Sequence, residues 1–149
     1  MLCISSKGHH ATRILVLLAS GTADRIYSKT EIAAMEGLTS GYVQQLMGSL
    51  HAGGLVLSYR GKQGGFKLAH SPHFITVADA VRVVEGEIRL AVCHDGENCD
   101  RIPTCPTRST WVEAASLLQT FFEQTTIAQL AERGHELAAQ RKDVGTCSN

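Results

Sequence analysis

Residues 55–69 restrict the possible folds more than any other stretch. Leu55-Val-Leu-Ser-Tyr-Arg60 and Phe66-Lys-Leu-Ala69 read as two strands, and Gly61-Lys-Gln-Gly-Gly65 between them reads as a basic, glycine-rich hairpin tip. What precedes the hairpin is helical. Ser28-Lys-Thr-Glu31 has the form of a capping box opening a short helix that carries Ile32, Ala33 and Met35, and Gly37 stops it. A second helix follows from about Ser40 to Ala52, with Val43, Leu46, Met47 and Leu50 as its apolar stripe, until Gly53-Gly54 ends it. Its other face shows Gly41, Gln44, Gln45 and Gly48, which are small or uncharged and polar. Two short helices joined by a tight turn, then at once a hairpin, make a winged helix-turn-helix order.

A helix over residues 8–20, with Ala11, Ile14, Leu15 and Leu18 on one face, stands before this unit. After it, Thr76-Val-Ala-Asp79 begins a capped helix with Val77, Ala80, Val81 and Val84 as its stripe. From about Thr107 a helix of some five turns runs to Gln124, with Trp111, Ala114, Ala115, Leu118, Phe121 and Phe122 along one side. Ile127, Leu130, Ala131 and Leu137 continue the pattern in a further helix or two, and Arg141 to Asn149 read as a frayed tail. The expected class is mainly α with a small β-hairpin: a winged helix-turn-helix domain plus a long C-terminal dimerisation helix. The divisions expected are residues 1–85 for DNA binding, 86–107 for a cysteine-rich loop, 108–140 for dimerisation and 141–149 for a tail.

Net charge is zero, but it is unevenly spread. Residues 1–70 carry seven Lys or Arg against three acids, and residues 71–149 carry seven against eleven. A basic half joined to an acidic half suggests that only the first meets a polyanion. The apolar run Ile14 to Ala19 is shorter than a signal-peptide core, and nothing approaches a membrane span. A cytoplasmic location is therefore expected, where thiols stay reduced, and five cysteines argue against a disulfide framework.

Cys93, Cys99 and Cys105 are spaced by six in a segment whose Gly96, Asn98, Pro103 and Pro106 are turn formers or breakers. Three thiolates on one loop suit a soft-ligand metal, and iron–sulfur clusters are commonly held that way. Zinc is an alternative, although it usually takes shorter spacings. A metal-free thiol sensor is another, and three ordinary loop thiols the plainest. Asp95, Glu97 and Asp100 read as solvated loop charges, Cys3 as a small hydrophobe and Cys147 as a tail thiol.

On the recognition helix, Gln44 and Gln45 suit bidentate bonds to adenine edges, and Tyr42 suits phosphate or a thymine methyl. Arg60 and Lys62 at the hairpin tip suit phosphates or a narrow minor groove. Lys7, Lys29 and Ser40 are further candidate phosphate contacts, whereas Gly41 offers no side chain to a base. The five-turn apolar helix has little in so small a chain to cover it, which favours a two-fold dimer and, with two recognition helices one DNA turn apart, a palindromic operator in double-stranded DNA.

These residues together resemble the Rrf2 family of bacterial winged-helix transcription regulators. The likeness rests on Ser6-Lys-Gly8, Glu31-Ile-Ala33, Tyr42-Val-Gln-Gln-Leu46, Gly54-Leu-Val56, Ser58-Tyr-Arg-Gly-Lys-Gln-Gly-Gly-Phe66 and the ordered cysteines, over roughly residues 2–131. The resemblance implies a homodimer with crossing C-terminal helices and no enzymatic activity. With three cysteines in this loop it implies a [2Fe-2S] or [4Fe-4S] cluster that reports iron–sulfur status, nitric oxide or redox state. Members without the cysteines use the same scaffold for other signals. One branch has a histidine ligand three residues after the third cysteine, where this chain has Arg108, which cannot ligate a metal. In other branches the fourth ligand comes from the first helix of the partner subunit, and the aligned residue is His9, with His94, Asp95 or an external ligand as competitors. The alternative is a metal-independent winged-helix repressor that responds to a small molecule or to thiol oxidation.

Overall fold

The computed structural model describes residues 5–91 and 99–145, with side chains through residue 141. Cys3, Cys93, His94, Asp95, Glu97 and Cys147 lie outside the described residues. Among the described residues six helices and one hairpin follow in chain order: α1 (Ser6–Ala19), α2 (Lys29–Glu36), α3 (Ser40–Ala52), β1 (Val56–Tyr59), β2 (Gly65–Leu68), α4 (Val77–Glu85), α5 (Arg108–Gln124) and α6 (Ile127–Gly145). Short 3-10 turns at Pro72–Phe74 and Ile102–Thr104 complete the list.

Capping chemistry sets the helix boundaries. Ser5 accepts from the Lys7 amide, so α1 begins two residues earlier than its apolar period suggests. Ser28 accepts from the Glu31 amide, but the reciprocal half of that expected box is missing, because the Glu31 carboxylate pairs with Arg25 instead. Thr76 and Asp79 do form a complete box at the start of α4. Gly37, at φ 67°, closes α2 in the left-handed region. At the other end of the chain α6 is a single helix that continues to Gly145, into the stretch that reads as a tail.

The hairpin pairs antiparallel, with Ser58 opposite Phe66 and Tyr59 opposite Gly65. A further pairing has no sequence signal. Tyr27 exchanges two 2.9 Å backbone hydrogen bonds with Phe66, so the segment between α1 and α2 adds a one-residue third strand. Gly65 makes this approach possible, since a Cβ there would overlap the Tyr27 backbone carbonyl.

The core is one apolar cluster. Ile14, Leu15, Ile32, Val43, Met47, Leu50, Val56, Ile75 and Ile127 are at most 1 % exposed within it. Burial of aliphatic side chains on this scale is the dominant stabilising term. Ile127 brings α6 into the same core as α1, α2, α3 and the hairpin.

By contrast, α5 is poorly covered. Of its apolar residues only Ala115 is buried, while Trp111, Leu117 and Phe121 are 46 %, 67 % and 63 % exposed. At 3.6 residues per turn, Trp111, Ala115, Leu118 and Phe122 share one face, and Leu117 and Phe121 lie on the next face round. Leu117, absent from the stripe read in the sequence, is thus among the most exposed large apolar residues described.

Candidate nucleic-acid interface and metal centre

Helix α3 turns Val43, Leu46, Met47 and Leu50 into the core, so the opposite face is fixed outward. Gly41, Gln44, Gln45 and Gly48 are exposed there, with Ser40 and Tyr42 half-buried at its N-terminal end. Thr39 caps this end by accepting from the Tyr42 amide at 3.3 Å. The Tyr42 ring is held by α1: its hydroxyl lies 3.2 Å from Nδ1 of His10, and the two rings meet edge to face.

Arg60 and Lys62 are exposed at the hairpin tip, Lys7 is exposed on the first turn of α1, and Lys29 is half-buried at the start of α2. Among the described residues none of these four is in an ion pair, whereas Arg13, Arg25, Lys67 and Arg82 are each matched to an acid. Cations left unmatched beside an exposed polar helix face are available to phosphate oxygens. Arg60→Ala is expected to weaken duplex binding and to lower the slope of log affinity against log salt by about one, as loss of one phosphate contact does. Titrations at several salt concentrations check this, and an unchanged slope excludes Arg60 from the backbone contacts.

Cys99 and Cys105 are free, half-buried thiols on either side of the Ile102–Thr104 turn. Cys105 stands at the foot of α5, with Sγ 3.5 Å from the Thr107 hydroxyl. That hydrogen bond, helped by backbone amides at Thr107 and Arg108 and by the charge of Arg101, holds its thiol below the ordinary value. Two free thiols, that of Cys105 held low, are donors that a thiolate-bound group can use.

Among the described residues no group of three or more His, Cys, Asp or Glu comes together. His9 is exposed on α1, stacked on His10 with ring centroids 5.7 Å apart, and it lines clefts with Thr12 and Leu130. Cys105 instead lines a cleft with Ile102, Val112 and Leu117. Arg108, at the position where one branch of relatives has a ligand histidine, is half-buried at the start of α5.

Glu85 and His10 were not singled out by their sequence context, yet Glu85 bonds the first turn of α1 and His10, just past it, meets Tyr42. Their partners are 77 and 32 residues away, so no local period marks them.

A helix-turn-helix backed by a three-stranded corner and a basic hairpin defines a winged-helix DNA-binding protein. Residues 4–133 match the Rrf2 family, described as iron-dependent transcriptional regulators, and the chain belongs to that family. It is similar to the transcriptional regulator CymR of Bacillus subtilis, at 33% identity over 86% of this chain and 88% of the relative. It is also similar to the transcriptional regulator IscR of Aliivibrio salmonicida, at 27% identity over 85% of this chain and 76% of the relative. Among solved structures, B. subtilis CymR, titled a global cysteine regulator, superposes with a TM-score of 0.75 at 32% identity, covering 89% and 98% of the two chains. T. potens IscR superposes with a TM-score of 0.74 at 30% identity, covering 91% and 90%. The chain is accordingly a DNA-binding transcription regulator and not an enzyme.

Proposed function

We propose that the chain is a homodimeric regulator whose affinity for a palindromic operator is set by an iron–sulfur cluster. Cys93, Cys99 and Cys105 would hold the cluster, and His9 of the other subunit would supply the fourth ligand. The observation that carries this reading is the position of Cys105, a free thiol held low by Thr107 at the foot of the helix whose apolar face is uncovered. When bound, such a cluster supplies a redox-active centre with thiolate ligands. The chain's own part is to bring Cys99 and Cys105 round the Ile102–Thr104 turn and to fix the start of α5. Gln44, Gln45 and Tyr42 then read base edges or phosphate, with Ser40, Lys7, Lys29, Arg60 and Lys62 on the backbone and Gly41 permitting close approach. The site of action is cytoplasmic; no helix among the described residues is long and apolar enough to cross a membrane.

A second reading is supported by the similarity to CymR. In it the thiols themselves respond to oxidation or to a small molecule, without metal, and the lowered Cys105 thiol is the reactive one.

One anaerobic experiment separates the two. The cluster reading expects a coloured protein with equal amounts of iron and acid-labile sulfide, about two or four of each per cluster, by iron and sulfide quantitation. Replacing Cys93, Cys99 and Cys105 together by Ala should remove both the colour and any dependence of operator affinity on iron and sulfide. His9→Ala should change the spectrum or speed cluster loss, and an unchanged spectrum removes His9 from the ligand set. A colourless protein that binds zinc, or one whose DNA affinity follows thiol oxidation alone, decides against the cluster.

A further inference from the structure

The first turn of α1 breaks a local rule. A helix N-terminus carries partial positive charge and unsatisfied amides, yet α1 has no acid in its first turn and places Lys7 there. The compensation comes from a distant helix. At the end of α4, Glu85 accepts from the Ser5 hydroxyl at 2.9 Å and the Gly8 amide at 2.9 Å with one oxygen, and from the Ser5 amide at 3.4 Å with the other. Just past that turn, His10 meets the Tyr42 hydroxyl of the recognition helix.

We propose that Glu85 and His10 are positioning residues for DNA binding: Glu85 fastens the first turn of α1 so that Lys7 is presented to phosphate, and His10 sets the Tyr42 hydroxyl toward the duplex. Neither residue touches DNA. The cation at the wrong end of α1 is kept because it has work elsewhere, and the Glu85 carboxylate offsets its local cost. Tyr42 is only half-buried, so without His10 its hydroxyl samples several directions, and the contact to DNA must then order it afresh. The inference rests on Lys7 and Tyr42 being DNA contacts.

The test uses the full chain and a duplex that the wild-type protein selects from a random-sequence pool. Glu85→Ala removes a negative charge, which by itself raises affinity for a polyanion. The expected result is the opposite sign, a loss of about fivefold, the size of one modest hydrogen bond. Lys7→Ala should weaken binding similarly, and the Lys7→Ala, Glu85→Ala pair no more than Lys7→Ala alone. Glu85→Gln, which keeps one acceptor oxygen, should fall between Glu85→Ala and wild type and serves where Glu85→Ala does not fold. His10→Phe and Tyr42→Phe should each cost about fivefold, and together no more than one of them. Affinity in Glu85→Ala or Glu85→Gln equal to or above wild type, or additive losses in the His10–Tyr42 cycle, overturns the inference while leaving the regulator reading intact. A wild-type chain that selects no duplex at all overturns the regulator reading, and this inference with it.

Discussion

Replacing Leu117 and Phe121 together by Asp is expected to leave a folded monomer with at least a 100-fold lower apparent affinity for its operator. Both residues are mostly uncovered in the single chain, at 67 % and 63 % exposure, four positions apart on a helix about 25 Å long. Apolar side chains on this scale, outside any core, mark a surface that another surface covers. Two readers joined as a dimer gain about 10²–10⁴ in avidity over one reader, and that factor is what the charged pair removes. Mass by sedimentation together with operator titration checks it. A variant with the wild-type mass moves the interface off this face, and a wild-type chain that is itself monomeric removes the dimer from the proposal. Neither substitution touches the buried core, so the far-ultraviolet dichroism should be unchanged.

Gly65→Ala should cost about 2 kcal/mol of stability, the usual penalty for forcing a methyl group into packed structure. The added carbon meets the Tyr27 carbonyl, which is backbone and cannot swing aside, so the Tyr27–Phe66 pairing must open. Because β2 carries the hairpin that presents Arg60 and Lys62, DNA affinity should fall with stability. Gly41→Ala is the control for the fold: its Cβ meets nothing and its backbone is helical, so stability should stay level or rise by up to about 1 kcal/mol. Denaturant midpoints for the two variants check the contrast, and equal midpoints overturn the steric account of the hairpin motif.

The contrast between these glycines shows what was legible in the sequence. The spacing of Gly61, Gly64 and Gly65 announced a hairpin, and the structure supplies the reason: Gly61 has φ 110°, and a side chain at either of the others would strike backbone. The Thr76–Asp79 box and the α3 stripe were equally readable, because capping and helical period are local. The Tyr27 strand was not, since one residue has no period and its partner is 39 positions along the chain. The Glu31 half of the expected box failed because Arg25, folded over the Tyr27 ring, competes for the carboxylate. On α5 the apolar residues spread over two adjacent faces, and a single stripe hid that Ala115 is buried on one while Leu117 and Phe121 stay outside on the other. For the candidate site, the outward face of α3 and the unmatched cations follow from pattern and charge. The contacts of Glu85 and His10 depend on tertiary packing and could be found only in the fold.

The backbone clasp at the base of α4 and α6 has a wider consequence. The Val77 amide donates to the Thr125 carbonyl at 2.9 Å, and the Ile127 amide to the Ile75 carbonyl at 2.8 Å. The start of α4 is thus tied to the end of α5 by two backbone hydrogen bonds, while α4 itself packs into the shared core through Ala80 and bonds the start of α1 through Glu85. A segment clasped at its root can change length at little cost to the rest, since closure entropy grows only slowly with loop length. The same clasp anchors the chain on both sides at residues 75–77 and 125–127, next to the buried side chains of Ile75 and Ile127, so a shift of α5 would be felt first at the core rather than at the surface.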